Sequence, residues 1–245
     1  MDWVKGYIVH RQPYRDTSYI LRVLTSDGDL LSVVAKGYRA SKPTGKSAEK
    51  LSLTQPFLLL NIRCKGSRSL KTLFGLELAG NLIGSLDGRC LYCAIYLNEL
   101  VSRVGQEGVQ LSIFESYQQC LLGLYGCSSD DSSIQEVLLR EFELALIQAL
   151  GYGISFSHDA VTGQPLLPNS YYVFVQEQGF VLVTPSLSPL SLFRAEDLLA
   201  ISARCWTSTS LKTAKILMRQ MLLPLLGGKP LKSRELFLAP IGSPK

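Results

Sequence analysis

Apolar positions recur with a period near two over the first 80 residues and near 3.6 beyond them. Val4–His10, Thr17–Thr25 and Asp29–Ala35 are rich in β-branched and aromatic residues, with turn signals at Gln12-Pro13 and Asp27-Gly28. Pro56–Arg63 and Leu70–Ala79 follow, separated by Lys65-Gly66-Ser67. Five short strands with no long helix between them predict a small closed barrel. An OB-fold meets that requirement, and an SH3-like barrel would look nearly the same in sequence.

After Gly80 the pattern becomes helical. Leu91, Ile95, Val101 and Val104 share one apolar face, and Leu111–Leu124 reads as a second helix. A third is expected to open on a capping box, Ser133-Ile-Gln-Glu136, and to stop at Gly151. Tyr171–Gln176 and Phe180–Thr184 read as a hairpin around Gln178-Gly179. Two more helices are expected near Arg194–Cys205 and Ser210–Leu226, the latter ended by Gly227-Gly228 and blocked by Pro230. The class is therefore α+β and multidomain. A barrel domain at 1–80 precedes a helical domain at 81–245, which includes a small hairpin region at about 151–190.

Composition narrows the class further. At 47% hydrophobic the 245 residues exclude general disorder. No long uncharged apolar run appears and the N-terminus lacks a signal-peptide core, so a cytoplasmic protein without membrane contact is expected. Six scattered cysteines fit reduced thiols better than a disulfide framework. Charge is unevenly spread. Residues 1–80 carry 13 Lys/Arg against 6 Asp/Glu, and Leu198–Arg234 has seven basic residues and no acid. That asymmetry suits a polyanion partner, although ordinary solvated lysines would produce it too.

Ala40–Ser47, ASKPTGKS, approaches the phosphate-loop template G-x-x-x-x-G-K-[ST], with Ala40 in place of the first glycine. A nucleotide-hydrolysing loop needs a long helix after it, and here only about two turns fit before Gln55-Pro56. A P-loop nucleotide hydrolase is thus the alternative reading. The preferred one assigns the cations to nucleic-acid phosphates. Lys36, Arg39, Lys42 and Lys46 surround Tyr38; Arg11 and Arg15 flank Tyr14; Arg63, Lys65, Arg68 and Lys71 surround the last barrel turn. Cationic loops with interleaved aromatics can follow a backbone while bases stack on the rings. Lys229, Lys232 and Arg234 extend the set at the C-terminal end. A mobile, solvated loop is the plainer explanation of the same residues.

Other constellations carry less chemistry. Cys90-Leu-Tyr-Cys93 is a C-x-x-C at a helix start with no second pair, and inward-packed helical cysteines explain it better than redox or zinc chemistry. His158-Asp159 is expected to be a surface pair, and Glu141 and Glu143 fall on different helix faces. No spacing points to catalysis, so neither enzymatic activity, a cofactor nor a bound metal is expected. Arg140 stands beside the apolar stripe of LLREFELAL, either snorkelling over the core or holding an anion.

Several stretches in order resemble the RecO family of bacterial recombination mediators. They are Val34-Ala-Lys-Gly37, Ile95–Leu100 with Ser102-Arg103, Phe142–Leu146, Leu150–Gly153 and, most specific, Leu226–Phe237 (LGGKPLKSRELF). The resemblance implies an N-terminal OB-fold, a helical domain and an inserted hairpin region. It also implies binding of single- and double-stranded DNA, annealing of complementary strands, and loading of the recombinase RecA, with RecR, onto DNA coated by single-stranded-DNA-binding protein. No ATP requirement is implied. Many family members hold zinc with two cysteine pairs after the Leu-Gly-Tyr-Gly stretch. Gly151–Arg204 contains no cysteine, which resembles the zinc-free branch. By position, the arginine that contacts the acidic C-terminal tail of the coating protein falls on Arg140, with Leu144 as a wall of the pocket.

Overall fold

Alternating side chains close five strands into a barrel. β1 (Val4–Tyr14), β2 (Ser18–Thr25), β3 (Leu30–Lys36), β4 (Leu59–Lys65) and β5 (Leu70–Leu78) pair in the cyclic order β1-β2-β3-β5-β4. All pairs are antiparallel except β3–β5. One short helix, α1 (Lys46–Leu53), sits between β3 and β4, completing the OB arrangement. Residues 2–66, 69–80, 84–105, 112–184 and 191–237 are described by this computed structural model. The chain forms two compact units, Met1–Gln135 with Pro230–Lys245, and Glu136–Lys229.

The barrel interior is filled by Ile8, Leu21, Val23, Val33, Ala35, Leu60, Ile62, Leu73 and Leu76. These residues are spaced by two along β2, β3 and β4, as a pleated strand requires. On β5 the spacing is three, from Leu73 to Leu76. A β-bulge accounts for it: Arg63 faces Gly75 and Cys64 faces Leu73, so Phe74 is the extra residue and turns outward.

The turn expected at Gln12-Pro13 is strand instead. β1 runs on to Tyr14, pairing Pro13 with Tyr19, and the chain reverses at Arg15 (φ 52°). β4 accompanies β1 only over Val4–Tyr7. Beyond that point one side of β1 carries no ladder, and a proline's missing N–H can face it.

Three helical elements besides α1 pack within the barrel's unit. α2 (Gly88–Val104) buries Cys90, Cys93 and Leu97, and α3 (Phe114–Tyr125) buries Tyr117 and Leu121. Tyr7 stacks against Phe114 and Tyr117 at ring separations of 5.6 and 5.1 Å, so β1 is apolar on both faces there. The Tyr117 hydroxyl donates to Asn98 at 2.6 Å, and Gln118 donates to the Tyr7 hydroxyl. From β2, Arg22 donates to the carbonyls of Ser102 and Gly105 at the end of α2, where a cation also suits the helix dipole. The last element, α7 (Ser233–Leu236), is tied to α2 by Glu99, which accepts from the Lys232 and Ser233 N–H groups (2.9 and 2.8 Å) and the Ser233 hydroxyl (2.6 Å).

The second unit holds most of α4 (Ser132–Ala149), a small sheet, α5 (Ala195–Ser202) and α6 (Ser208–Leu225). Ser133, expected to cap the third helix, lies inside α4, which begins at Ser132, and Glu136 pairs with Lys215 at 3.3 Å. The sheet contains β6 (Tyr171–Val175), β7 (Gly179–Val183) and a third strand the hairpin reading lacked, β8 (Leu192–Arg194), in the order β7-β6-β8. Phe180 anchors it, with Phe156, Phe174 and Phe193 at 5.4–6.3 Å. Asp159 is not on the surface, as the His158-Asp159 reading expected, but buried. Its carboxylate accepts the Val161, Thr162 and Leu182 N–H groups and the Thr162 hydroxyl. Burial pushes that carboxyl up, but these four hydrogen bonds outweigh it and hold it below the usual range.

Candidate nucleic-acid interface

The pairing of β1, β2 and β3 brings two of the predicted cationic groups to one end of the barrel, since Tyr14 faces Ser18 and Ser18 faces Lys36. There Arg39 donates to the Arg15 carbonyl at 2.9 Å, which fastens the loop after β3 to the β1–β2 turn. Arg15 lies over Tyr14 (5.2 Å), and Arg11 lies over Tyr19 (4.9 Å) while donating to the Thr54 hydroxyl. Lys36, Lys42 and Lys46 are exposed. Tyr38 is half-buried against the barrel core under Lys50, and burial pushes its hydroxyl up.

The third group lies elsewhere. Arg63 and Lys65 on β4 and Lys71 on β5 belong to a hairpin whose turn meets β3 near Ser32, away from the Lys36 end. Arg68 lies outside the described residues. Arg63 rests on the Trp3 ring at 5.0 Å, a contact the strand pattern did not reveal. At the C-terminal end Lys229 and Lys232 are exposed and Arg234 is half-buried.

Ala40–Ser47 lacks the setting of a nucleotide loop. It leads into an eight-residue helix with no buried side chain. The Ser47 hydroxyl, which would face a magnesium ion, is instead bonded to the Thr44 N–H and carbonyl at 2.9 and 2.8 Å. Cys90 and Cys93 are buried, and Gln135 donates to the Cys90 sulfur at 3.3 Å. Among the described residues no cluster of His, Cys, Asp and Glu is suited to a metal, and no helix is long and apolar enough to cross a membrane.

Arg140 is neither exposed nor snorkelling. It is 6% exposed and ion-paired with Glu143 at 3.0 Å, one helical turn on. Leu144 lines an open pocket of about 540 Å³ together with Ile147, Met221 and Arg204. Glu141, on the other face, pairs with Arg204 at 3.3 Å and accepts the Trp206 indole N–H at 2.7 Å.

Two family models cover most of the chain. Residues 1–82 match the N-terminal part of recombination protein O and residues 85–235 its C-terminal part. Proteins named DNA repair protein RecO match over nearly their full length. That of Pseudoalteromonas atlantica is 41% identical over 96% of this chain and 93% of its own. Those of Alteromonas mediterranea and an Escherichia coli strain are 37% and 38% identical, covering 97% and 96% of this chain and 97% and 93% of their own. The chain belongs to the RecO family of DNA repair proteins.

Proposed function

We propose that the protein is a DNA-binding recombination mediator without an enzymatic step of its own. It binds single- and double-stranded DNA, anneals complementary strands and, with RecR, helps load RecA onto DNA coated by single-stranded-DNA-binding protein. The observation that carries this reading is the basic end of the barrel in a chain of this family. Arg11, Arg15 and Arg39 are held there by a hydroxyl, rings and a carbonyl, beside exposed Lys36, Lys42 and Lys46. Neutral partners orient a guanidinium without cancelling its charge. Two strands neutralised on one protein meet with less repulsion, which favours pairing.

The coating protein is recruited through its acidic tail. Its last aromatic ring enters the pocket beside Leu144, and its carboxylates are met by Arg204 at the pocket and by Arg140, which must then be shared with Glu143. Oligonucleotide binding measured by anisotropy across a salt series tests the DNA reading. Affinity should fall with log–log slopes of about 0.9 per duplex phosphate neutralised and about 0.7 per single-strand phosphate. Lys42→Ala and Lys46→Ala should each lower the slope. Binding that ignores salt, or micromolar ATP binding by calorimetry, would refute it. For the tail, Arg204→Ala should weaken an acidic peptide ending in an aromatic residue about tenfold, the scale of one charged hydrogen bond. It should leave naked-DNA affinity unchanged.

A further inference from the structure

One wall of the barrel alternates cations with uncovered rings. In the cyclic order β3-β5-β4-β1 the strands present Lys36, Phe74 with Gly75, Arg63, and Trp3 just ahead of β1. The parallel β3–β5 ladder ends at Val34 and Thr72, and Lys36 and Phe74 each follow two residues later on these neighbouring strands. The bulge that breaks the β5 alternation makes Phe74 the extra residue, 61% exposed, although the barrel's hydrophobic packing gains nothing from a ring held there. The outer edge of the Trp3 indole comes over Gly75: a Cβ built on that glycine would lie 2.4 Å from the Trp3 ring, so only glycine lets the indole reach the sheet. Arg63 covers part of the indole at 5.0 Å, yet Trp3 remains 41% exposed. The flanking row is mixed, with Lys5 and Glu77 on either side of Asn61. The wall at β2 is engaged differently, because Arg22 there holds the end of α2.

We infer that Trp3 and Phe74 form a base-stacking platform for single-stranded nucleic acid, with Lys36 and Arg63 contacting its phosphates. This surface rests on the DNA-binding reading above and assigns the stacking rings within it. Of the rings expected to stack, Tyr14 is half-buried beneath Arg15 and Tyr38 half-buried against the barrel core, whereas Phe74 is 61% and Trp3 41% exposed. Bases offer a flat apolar partner to an exposed ring, and alternating cations meet the phosphates between successive bases. Duplex DNA, with its bases paired and stacked, has no free face to offer. The platform therefore separates unpaired from paired strands, which the cationic loops alone do not.

The test compares oligothymidylate, a duplex of equal length and heparin, a polyanion without bases. Phe74→Ala should weaken oligothymidylate binding about 5- to 150-fold, the range of one lost base–ring stack, with an unchanged salt slope. Duplex and heparin binding should stay at wild-type levels. Lys36→Ala, in contrast, should lower the slope with all three ligands, by about 0.7 for oligothymidylate and about 0.9 for the duplex. In a Trp206→Phe background, Trp3 emission should be quenched by oligothymidylate and not by heparin. If Phe74→Ala binds oligothymidylate like wild type and Trp3 emission does not respond, the platform is refuted while DNA binding stands. An equal loss with heparin also refutes it. If the wild type binds neither DNA nor heparin, the DNA-binding reading falls and the platform with it.

Discussion

Replacing Arg140 by methionine removes a buried charge while keeping most of the side chain's stem, so the variant isolates the ion pair. The side chains of Arg140 and Glu143 are 8% and 1% exposed, and their closest N–O distance is 3.0 Å. The Arg140 Nε is buried without a hydrogen-bond partner, so the pair recovers only part of what it cost to desolvate. Breaking a buried pair from one side costs about 3–5 kcal/mol, whereas replacing both members by apolar residues is often neutral. Arg140→Met should therefore lower the urea midpoint by about 1.5–2.5 M for a slope near 2 kcal/mol/M, followed by circular dichroism. Arg140→Met with Glu143→Leu should recover most of that loss. A single variant with an unchanged midpoint would refute the argument, and so would a double variant no more stable than the single. The sequence left Arg140 either snorkelling over the core or holding an anion, and the family resemblance made it a tail contact. Its burial makes any loss of tail-peptide affinity in an Arg140 variant interpretable only alongside this unfolding curve.

Two further perturbations follow from the same kind of reasoning. Burial pushes the Glu99 carboxyl up, but hydrogen bonds from Ser233 and Lys232 and the Arg103 guanidinium hold it below the usual range. Its contribution is complete above the unfolded carboxylate value near 4.3 and is lost as pH falls through the lower folded one. Glu99→Ala should accelerate amide exchange at Lys232 and Ser233 about 10- to 150-fold at neutral pH, the scale of one charged hydrogen bond, and unchanged exchange would contradict the anchoring role. Among the thiols, exposed Cys205 should react first with a disulfide reagent and buried Cys90, whose thiol is pushed up chiefly by burial, among the last. A chelator should leave the melting temperature unchanged; a drop would point to a structural metal.

The barrel was legible because each strand repeats one simple rule, and Leu21/Val23, Val33/Ala35 and Leu60/Ile62 obey it. Where a strand departs from that rule the pattern misleads. β5 shifts its inward residues from a spacing of two to three at Phe74, which gives no sign in sequence that the ring is exposed. β8 has only three residues, too few for any period. Pro13 looked like a turn residue because pairing, which decides whether its missing donor matters, is not local. The same limit hid the partners of Glu99 and Asp159. Glu99 serves backbone more than 130 positions away, and Asp159 reaches Leu182 across the hairpin. Charge asymmetry showed that the N-terminal segment is basic, but not that its cations are divided between a barrel end and the β4–β5 hairpin.

That division bears on mechanism. A single cationic cluster would hold one strand tightly by one route and leave a second strand outside its reach. Here the Arg15–Arg39 end and the Arg63 wall are two sets of guanidinium groups that meet at Lys36, each resting on rings or donating to carbonyls. Annealing needs two strands held loosely enough to exchange partners, and diffuse lysine contacts provide weak, salt-screened attraction of that kind. The oriented arginines add fixed points without demanding sequence, because their partners in the protein are already made and only their outer N–H groups remain to meet phosphate. On the platform proposed above, unpaired bases would gain a stacking surface at Phe74 and give it up once they pair. On this arrangement the annealed product is held less firmly than its separated strands, which favours its release.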